Sequence, residues 1–362
     1  MTRALFQLIS QLWLHEPDGD TVARAAAELG LPAADPADLA VAYTDLFLLN
    51  VYPYGTAFTD PSGELNGPAA QQVAALYDES GYRPAELSEA GAPDHLGLGI
   101  GFLGYLSENG SPAASARHEV SQRHFVSEYL LGWVPICCLA LEREPGAHLF
   151  YRALAARTRE SLFCHAEPLR QAQGKLFVCH SEPFAGHSEP FACHSPGTCI
   201  RGKCERSEES RLVAQGKLRE ASGPPTSAVG PPRPAVVHLP SEPEEEVGLR
   251  EIIRFLLVPA RCGLFLSRAR LGKIAKALGA RLPFGSRFEV AKNLFATAGE
   301  SGLAGELLER LGAEVVIWEA RYREWVGQYP AWAAFAGQWL ERVETTRRML
   351  TLMHNQVSEN ES

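Results

Sequence analysis

"LAGELLERLGAEVVIWEARYREW" spans Leu303 to Trp325. Leu303, Leu307, Leu308, Leu311, Val315, Trp318, Tyr322 and Trp325 recur there at spacings of three and four. On a helix those positions fall on a single stripe, so the stretch predicts a long helix with one buried side. Pro330 breaks it. Trp332, Phe335, Trp339 and Val343 then resume the same spacing. Further towards the N-terminus, "SRFE" at Ser286–Glu289 has capping-box spacing ahead of "VAKNLF". "DPADLAVAYTDLFLLNV" opens with Asp35 as a helix cap and Pro36 at the first helical position. At the start of the chain, Leu5, Leu8, Ile9 and Leu12 mark one face of an amphipathic helix. Nowhere do alternating, β-branched runs stand between hairpin turns. The fold class expected is all-α, a single helical-bundle-like domain whose neighbouring helices pack antiparallel across short loops.

One region breaks this texture. From Cys164 to Glu246 the helical period is lost. "AQGKL" occurs at Ala172–Leu176 and again at Ala214–Leu218, and "HSEPFA" at His180–Ala185 and His187–Ala192. "SGPPTSAVGPPRPAVVHLPSEPEEE" follows, with too little apolar surface to offset the entropy of ordering. The expected layout is therefore four-part. Residues 1–163 are the N-terminal part of a helical domain, and 164–246 a disordered insertion. Residues 247–350 are the C-terminal helices of the same domain, and 351–362 a flexible tail.

The insertion poses a metal question. Cys-His dipeptides stand at Cys164-His165, Cys179-His180 and Cys193-His194, with His187 between them and Cys199 and Cys204 beyond. Zinc accepts these ligand types. However, adjacent Cys and His serve one ion poorly, no CxxC pair occurs, and Cys199-x4-Cys204 is half a site at most. The repeats point instead to a duplicated element translated in frame. The working expectation is no metal and no cofactor. A zinc-binding regulator built on this segment is the alternative.

The composition narrows the function classes. With 362 residues, 46% of them hydrophobic, the chain can build a large core. A formal charge of −9 argues against a general nucleic-acid binder. The longest apolar run, "YLLGWVPICCLAL" from Tyr129 to Leu141, falls short of the roughly 20 residues of a spanning helix and contains Pro135. Gln7, Ser10 and Gln11 interrupt the N-terminal apolar run, and no small-residue cleavage site follows. A cytoplasmic protein without stable membrane insertion is expected. No GxSxG, HExxH or glycine-rich dinucleotide pattern occurs. The Gly-Lys pairs at Gly174, Gly202, Gly216 and Gly272 lack the Ser or Thr of a phosphate loop. An enzyme is not expected.

Three blocks carry a resemblance. They are "YTDLFLLNVYPY" at Tyr43–Tyr54, "GAPDHLGLGIGFLGYL" at Gly91–Leu106 and "QRHFVSEYLLGWVP" at Gln122–Pro135. In this order in a helical chain they resemble the TorD/DmsD/NarJ family of cytoplasmic redox-enzyme maturation chaperones. The Pro93-Asp94-His95 element is the most specific part. The resemblance is clear over residues 35–163 and looser from Val247 to Trp325. Ala92 stands where members often have glutamate, Gly55 where an acidic residue often follows the tyrosine, and Tyr129 where histidine is common.

The resemblance implies a domain of the TorD type that binds and does not catalyse. Its partner would be the precursor of a twin-arginine-exported redox enzyme, usually a molybdenum-cofactor oxidoreductase. The chaperone would hold the signal peptide or the apoprotein until cofactor insertion, and a homodimer is compatible with the family. The binding residues it suggests are Pro93, Asp94, His95, Leu98, Phe102, Tyr54 and Trp133. A twin-arginine peptide needs carboxylate acceptors beside an apolar surface, and Asp94 precedes just such a segment. Asp94 has a second role open to it, as cap of the helix starting near His95. The glycines at 97, 99, 101 and 104 suit close approach either of a peptide or of another helix. Trp133 reads as core or groove wall, and Cys137 and Cys138 as buried thiols.

Overall fold

The capping box at Ser286 is formed in the computed structural model, which describes residues 2–61, 67–107, 121–122, 124–178 and 248–361. Glu289 N donates to Ser286 Oγ at 3.2 Å, and Ser286 N to Glu289 Oε2 at 2.8 Å. Asp35 Oδ1 likewise accepts the Ala37 amide at 2.8 Å, with Pro36 leading the helix. These local signals set the helix starts. The first half contains α1 (Arg3–Leu14), α2 (Gly19–Leu29), α3 (Pro36–Tyr43), a π-helix π1 (Thr44–Asn50), α4 (Gly55–Thr59), α5 (Pro68–Ser80), α6 (Leu87–Ala90) and α7 (Leu96–Leu106). Next come a second π-helix, π2 (Val126–Leu130), α8 (Val134–Glu142) and α9 (Leu149–Val178). After the undescribed segment follow α10 (Leu249–Leu257), α11 (Pro259–Cys262), α12 (Arg268–Ala277), α13 (Arg287–Glu300), α14 (Ala304–Gln328) and α15 (Ala333–Glu361). No strand forms among the described residues, only an isolated antiparallel bridge between Tyr54 and His95. The protein is all-α.

By its contacts the chain divides into residues 1–173 with 236–362, and residues 174–235. All the packing below belongs to the first unit. Its centre is α7, whose residues are apolar or glycine on nearly every side. Helix α1 lies against it. A Cβ at Gly97 would fall 2.5 Å from Leu14 Cγ and 3.0 Å from the Ser10 carbonyl, and one at Gly104 3.1 Å from Phe6 Cβ. The α7 glycines therefore serve helix packing, and the helix they admit is α1.

At the other end, α14 and α15 form an antiparallel hairpin closed at Pro330. Leu307, Leu308, Leu311, Val315, Trp318, Tyr322 and Trp325 form its buried stripe, and Trp332, Trp339 and Val343 face them. Trp325 and Trp332 meet edge to face at 5.4 Å. The hairpin is pinned to the loop after α11. Tyr322 Oη donates to the Gly263 carbonyl at 2.7 Å and Thr346 Oγ1 to the Cys262 carbonyl at 2.8 Å. Gly263 has φ +79°, and a Cβ there would lie 2.7 Å from Val343 N, so only glycine fits.

Contacts between the two halves of the sequence run along this core. Trp339 Nε1 donates to the Gly132 carbonyl at 2.9 Å, and Ala269 N to Asn50 Oδ1 at 3.1 Å. Arg143 pairs with Glu314 at 2.6 Å, and Phe163 stacks on Tyr329 at 4.3 Å.

Two boundaries differ from expectation. The helix beginning at Leu149 does not stop at position 163 but continues to Val178. Leu162, Phe163 and Ala166 are buried, so its inward stripe extends past the Cys-His text that obscures it in the sequence. The expected flexible tail is helical to Glu361, because Met353 and Val357 still pack against the core. The repeats from His180 to Ala192, the Cys and His residues from Cys179 to Cys204, and the proline-rich run up to Glu246 lie outside the described residues. Among the described residues, no group of three or more His, Cys, Asp and Glu side chains is placed to hold a metal.

Candidate functional site

Two short segments meet at the N-terminal end of α7. One is the turn from Val51 into α4; the other is the loop from Gly91 to His95. Leu96 N donates to the Pro53 carbonyl at 2.8 Å, and Gly55 N to the Asp94 carbonyl at 3.0 Å. The Asp94 carboxylate completes the junction, its Oδ2 accepting the Thr56 amide at 2.7 Å. Asp94 thus caps the first turn of α4, not α7. The cap of α7 is His95, whose Nδ1 accepts the Gly97 amide at 3.1 Å. That bond assigns the ring proton to Nε2. Tyr54 Oη donates to the Ala90 carbonyl at 2.7 Å and Tyr77 Oη to the Pro93 carbonyl at 3.1 Å. The Tyr54 ring meets His95 edge-on at 4.9 Å.

Burial governs the electrostatics here. Asp94 is 6% exposed and His95 5%. Desolvation, with His15 nearby, pushes the His95 pKa down to about 4, so the imidazole is neutral at physiological pH. Burial first, and then the Asp94 charge, raise the Tyr54 pKa. Asp94 Oδ1 and Thr56 Oγ1 are both buried without a hydrogen-bond partner among the described residues. Such atoms are uncommon in a folded protein and mark this junction as unsatisfied.

Trp133 forms the back of the junction. Its Nε1 donates to the Tyr129 carbonyl at 2.6 Å, and its ring stacks on Phe58 at 5.8 Å. Phe58 stacks on Phe265 at 5.2 Å, and the Arg287 guanidinium lies 4.8 Å from the Phe265 ring centre. A Cβ at Gly55 would stand 3.2 Å from Trp133 Nε1 and 3.5 Å from Asp94 Oδ2. The small residue after Tyr54 is what lets the indole and the carboxylate approach one another.

The structure therefore brings together Pro93, Asp94, His95, Tyr54 and Trp133. Pro93 and Tyr54 are partly exposed. Leu98 and Phe102 are a correction: both are wholly buried and belong to the core. The faces of α7 that carry these two side chains pack into the bundle, whereas Gly101 and Tyr105 of the same helix border a cavity.

Sequence reasoning missed a cavity of 410 Å³ beside this junction, lined by α1 residues Gln7, Ser10, Gln11 and His15 and by Tyr82 and Glu86. Its signal was present: Gln7, Ser10 and Gln11 are the polar residues that interrupt the N-terminal apolar run. Ser10 Oγ donates to the Gly97 carbonyl at 2.7 Å, and His15 lies 3.6 Å from Glu89.

The described geometry and the three sequence blocks converge on one stretch of chain. Residues 15–139 match the family model of the nitrate reductase delta subunit. The match covers about a third of the chain and is to the NarJ/TorD-type family that the three blocks resemble. The nitrate reductase delta family is one of redox-enzyme maturation chaperones and is not catalytic, and its partners are redox-enzyme subunits such as nitrate reductase. The match includes Tyr54, Pro93, Asp94, His95 and Trp133; helix α1 and everything after α8 lie beyond it. No curated protein matches the chain. Among the described residues no helix is long and apolar enough to cross a membrane.

Proposed function

We propose that this protein is a cytoplasmic chaperone for a molybdenum-cofactor oxidoreductase. It binds the twin-arginine signal peptide or the apoprotein of that enzyme and holds it until the cofactor is inserted, before export. The observation that carries the reading is the family match over residues 15–139, which contains the whole Tyr54–Asp94–His95 junction. The unsatisfied Asp94 Oδ1 supports it, because a buried carboxylate oxygen without a partner suits an incoming guanidinium. Pro93 and Tyr54 form the exposed lip of that site, with His95 and Trp133 behind it.

The test is titration of a twin-arginine signal peptide against the full chain, with Asp94→Asn and His95→Gln alongside. A charged hydrogen bond contributes about 1.5–3 kcal/mol, so Asn at position 94 should weaken binding about ten-fold or more. Asn retains an oxygen for the Thr56 amide, so the melting temperature should hardly move. Affinity unchanged in both variants would remove the peptide from this junction.

A further inference from the structure

Helix α3 and π1 turn one face outward. On it Val41, Leu48 and Leu49 are 72%, 60% and 38% exposed, and Asp38 and Asp45 are exposed beside them. The opposite face puts Leu39, Leu46, Phe47 and Asn50 in the core. Single exposed aliphatics are ordinary, but three on one short face make a patch. Along the chain the charge around them is one-sided, although Ala269, which meets Asn50, stands between Arg268 and Arg270. Between Arg24 and Arg83 the sequence has no Lys, Arg or His and eight Asp or Glu. Glu28 and Asp78 pair with the arginines that bound this stretch, whereas among the described residues no ion pair reaches Asp38 or Asp45.

The face is also held in place. Asn50 Nδ2 donates to the Asp45 carbonyl at 2.9 Å, and its Oδ1 accepts the Ala269 amide at the start of α12. Four residues after Asn50 the chain reaches Tyr54 and its bridge to His95, so the face leads along the chain into the candidate site. Such preorganisation favours a docking surface, since little order is lost on binding.

We propose that the outward face of α3 and π1 docks a basic, apolar segment of the client polypeptide, its arginines or lysines on Asp38 and Asp45 and its aliphatic residues on Val41 and Leu48. The inference goes beyond the Asp94 junction and rests on the chaperone reading for the identity of the client. Charge complementarity selects this occupant: an acidic or neutral apolar partner leaves Asp38 and Asp45 without a counter-charge, Asp45 keeping only its hydrogen bond from Asn50 Nδ2 at 3.3 Å.

The probes are two labelled peptides, one with an arginine pair followed by a leucine- and alanine-rich run, the other with glutamates in place of the arginines. The proteins are the full chain, a Val41→Ser/Leu48→Ser variant and Asp38→Asn. Wild type should prefer the arginine peptide. The double variant should bind it at least ten-fold more weakly, and Asp38→Asn more weakly and with a shallower salt dependence. Melting temperatures should stay within experimental scatter, because the altered side chains face solvent. Binding indifferent to these variants but sensitive to Asp94→Asn overturns the docking face and leaves the chaperone reading standing. No binding of either peptide by wild type overturns both. A dimer seen by light scattering for wild type and lost in the double variant assigns the face to a second copy and overturns the proposal.

Discussion

At the scale of single residues, the junction at α7 is built from exchanged roles. Asp94 fixes the turn into α4, and the neighbouring His95 caps α7. A capping imidazole must stay neutral on Nδ1 to accept an amide, and its burial ensures this. The His95 pKa is about 4 in the folded protein, against 6.5 for an unperturbed histidine. A depressed folded-state pKa gives stability that is fully present above 6.5 and lost as pH falls towards 4. The loss across that window is on the order of 3 kcal/mol. Glu144 acts in the opposite sense. Burial raises its pKa to about 7, so its contribution is fully present below its unfolded value and declines as pH rises through 7. The His95 part is therefore read as a difference. His95→Asn keeps a side-chain oxygen for the Gly97 amide and has nothing to titrate. The wild type should lose more stability than this variant in denaturant melts between pH 6.5 and pH 4; parallel curves would show that the imidazole is not buried as described.

At the scale of elements, α1 and α7 illustrate how glycine sets the distance between helices. A methyl group at Gly97 meets both Leu14 Cγ and the Ser10 carbonyl. The backbone oxygen cannot move aside, so Gly97→Ala should destabilise by about 1–3 kcal/mol despite the better helix propensity of alanine. On α14, by contrast, a Cβ at Gly312 would meet nothing within 4 Å. Gly312→Ala should accordingly stabilise by about 0.5–1 kcal/mol. Equal shifts of the two unfolding midpoints would mean that α1 does not pack into this face. The same contact explains why Leu98 and Phe102 are unavailable to a peptide: α1 covers one side of α7, and Phe125 and Leu130 adjoin Gly99 on another.

At the scale of the whole molecule, the two halves are joined directly by described residues on either side of positions 179–247. Gly132 to Trp339, Asn50 to Ala269, Arg143 to Glu314 and Phe163 to Tyr329 all lie among residues before Val178 or after Gly248. Replacing residues 179–247 by a short Gly/Ser linker should preserve a single cooperative unfolding transition. Loop closure changes by only about 0.6 kcal/mol per doubling of length. A cut made at Cys164 instead removes His165 and the buried Ala166, and should lower the midpoint. A broad or two-step transition in the first variant would place the segment within the cooperative unit.

Helix existence was legible in the sequence because it rests on local order: the stripe from Leu303 to Trp325, the Ser286 capping box and the Asp35-Pro36 start depend on neighbours within a few residues. The family resemblance was legible for a related reason, since Pro93-Asp94-His95 is a short contiguous pattern. Four things were decided only by the tertiary structure: which helix fills the glycines of α7, whether Asp94 caps α7 or α4, whether Leu98 faces a groove or the core, and how far α9 continues past Phe163. Each depends on partners distant in sequence, Leu14, Thr56, Phe125 and Tyr329 among them. Periodicity states which side of a helix is buried, but the identity of what buries it is a property of packing between remote segments.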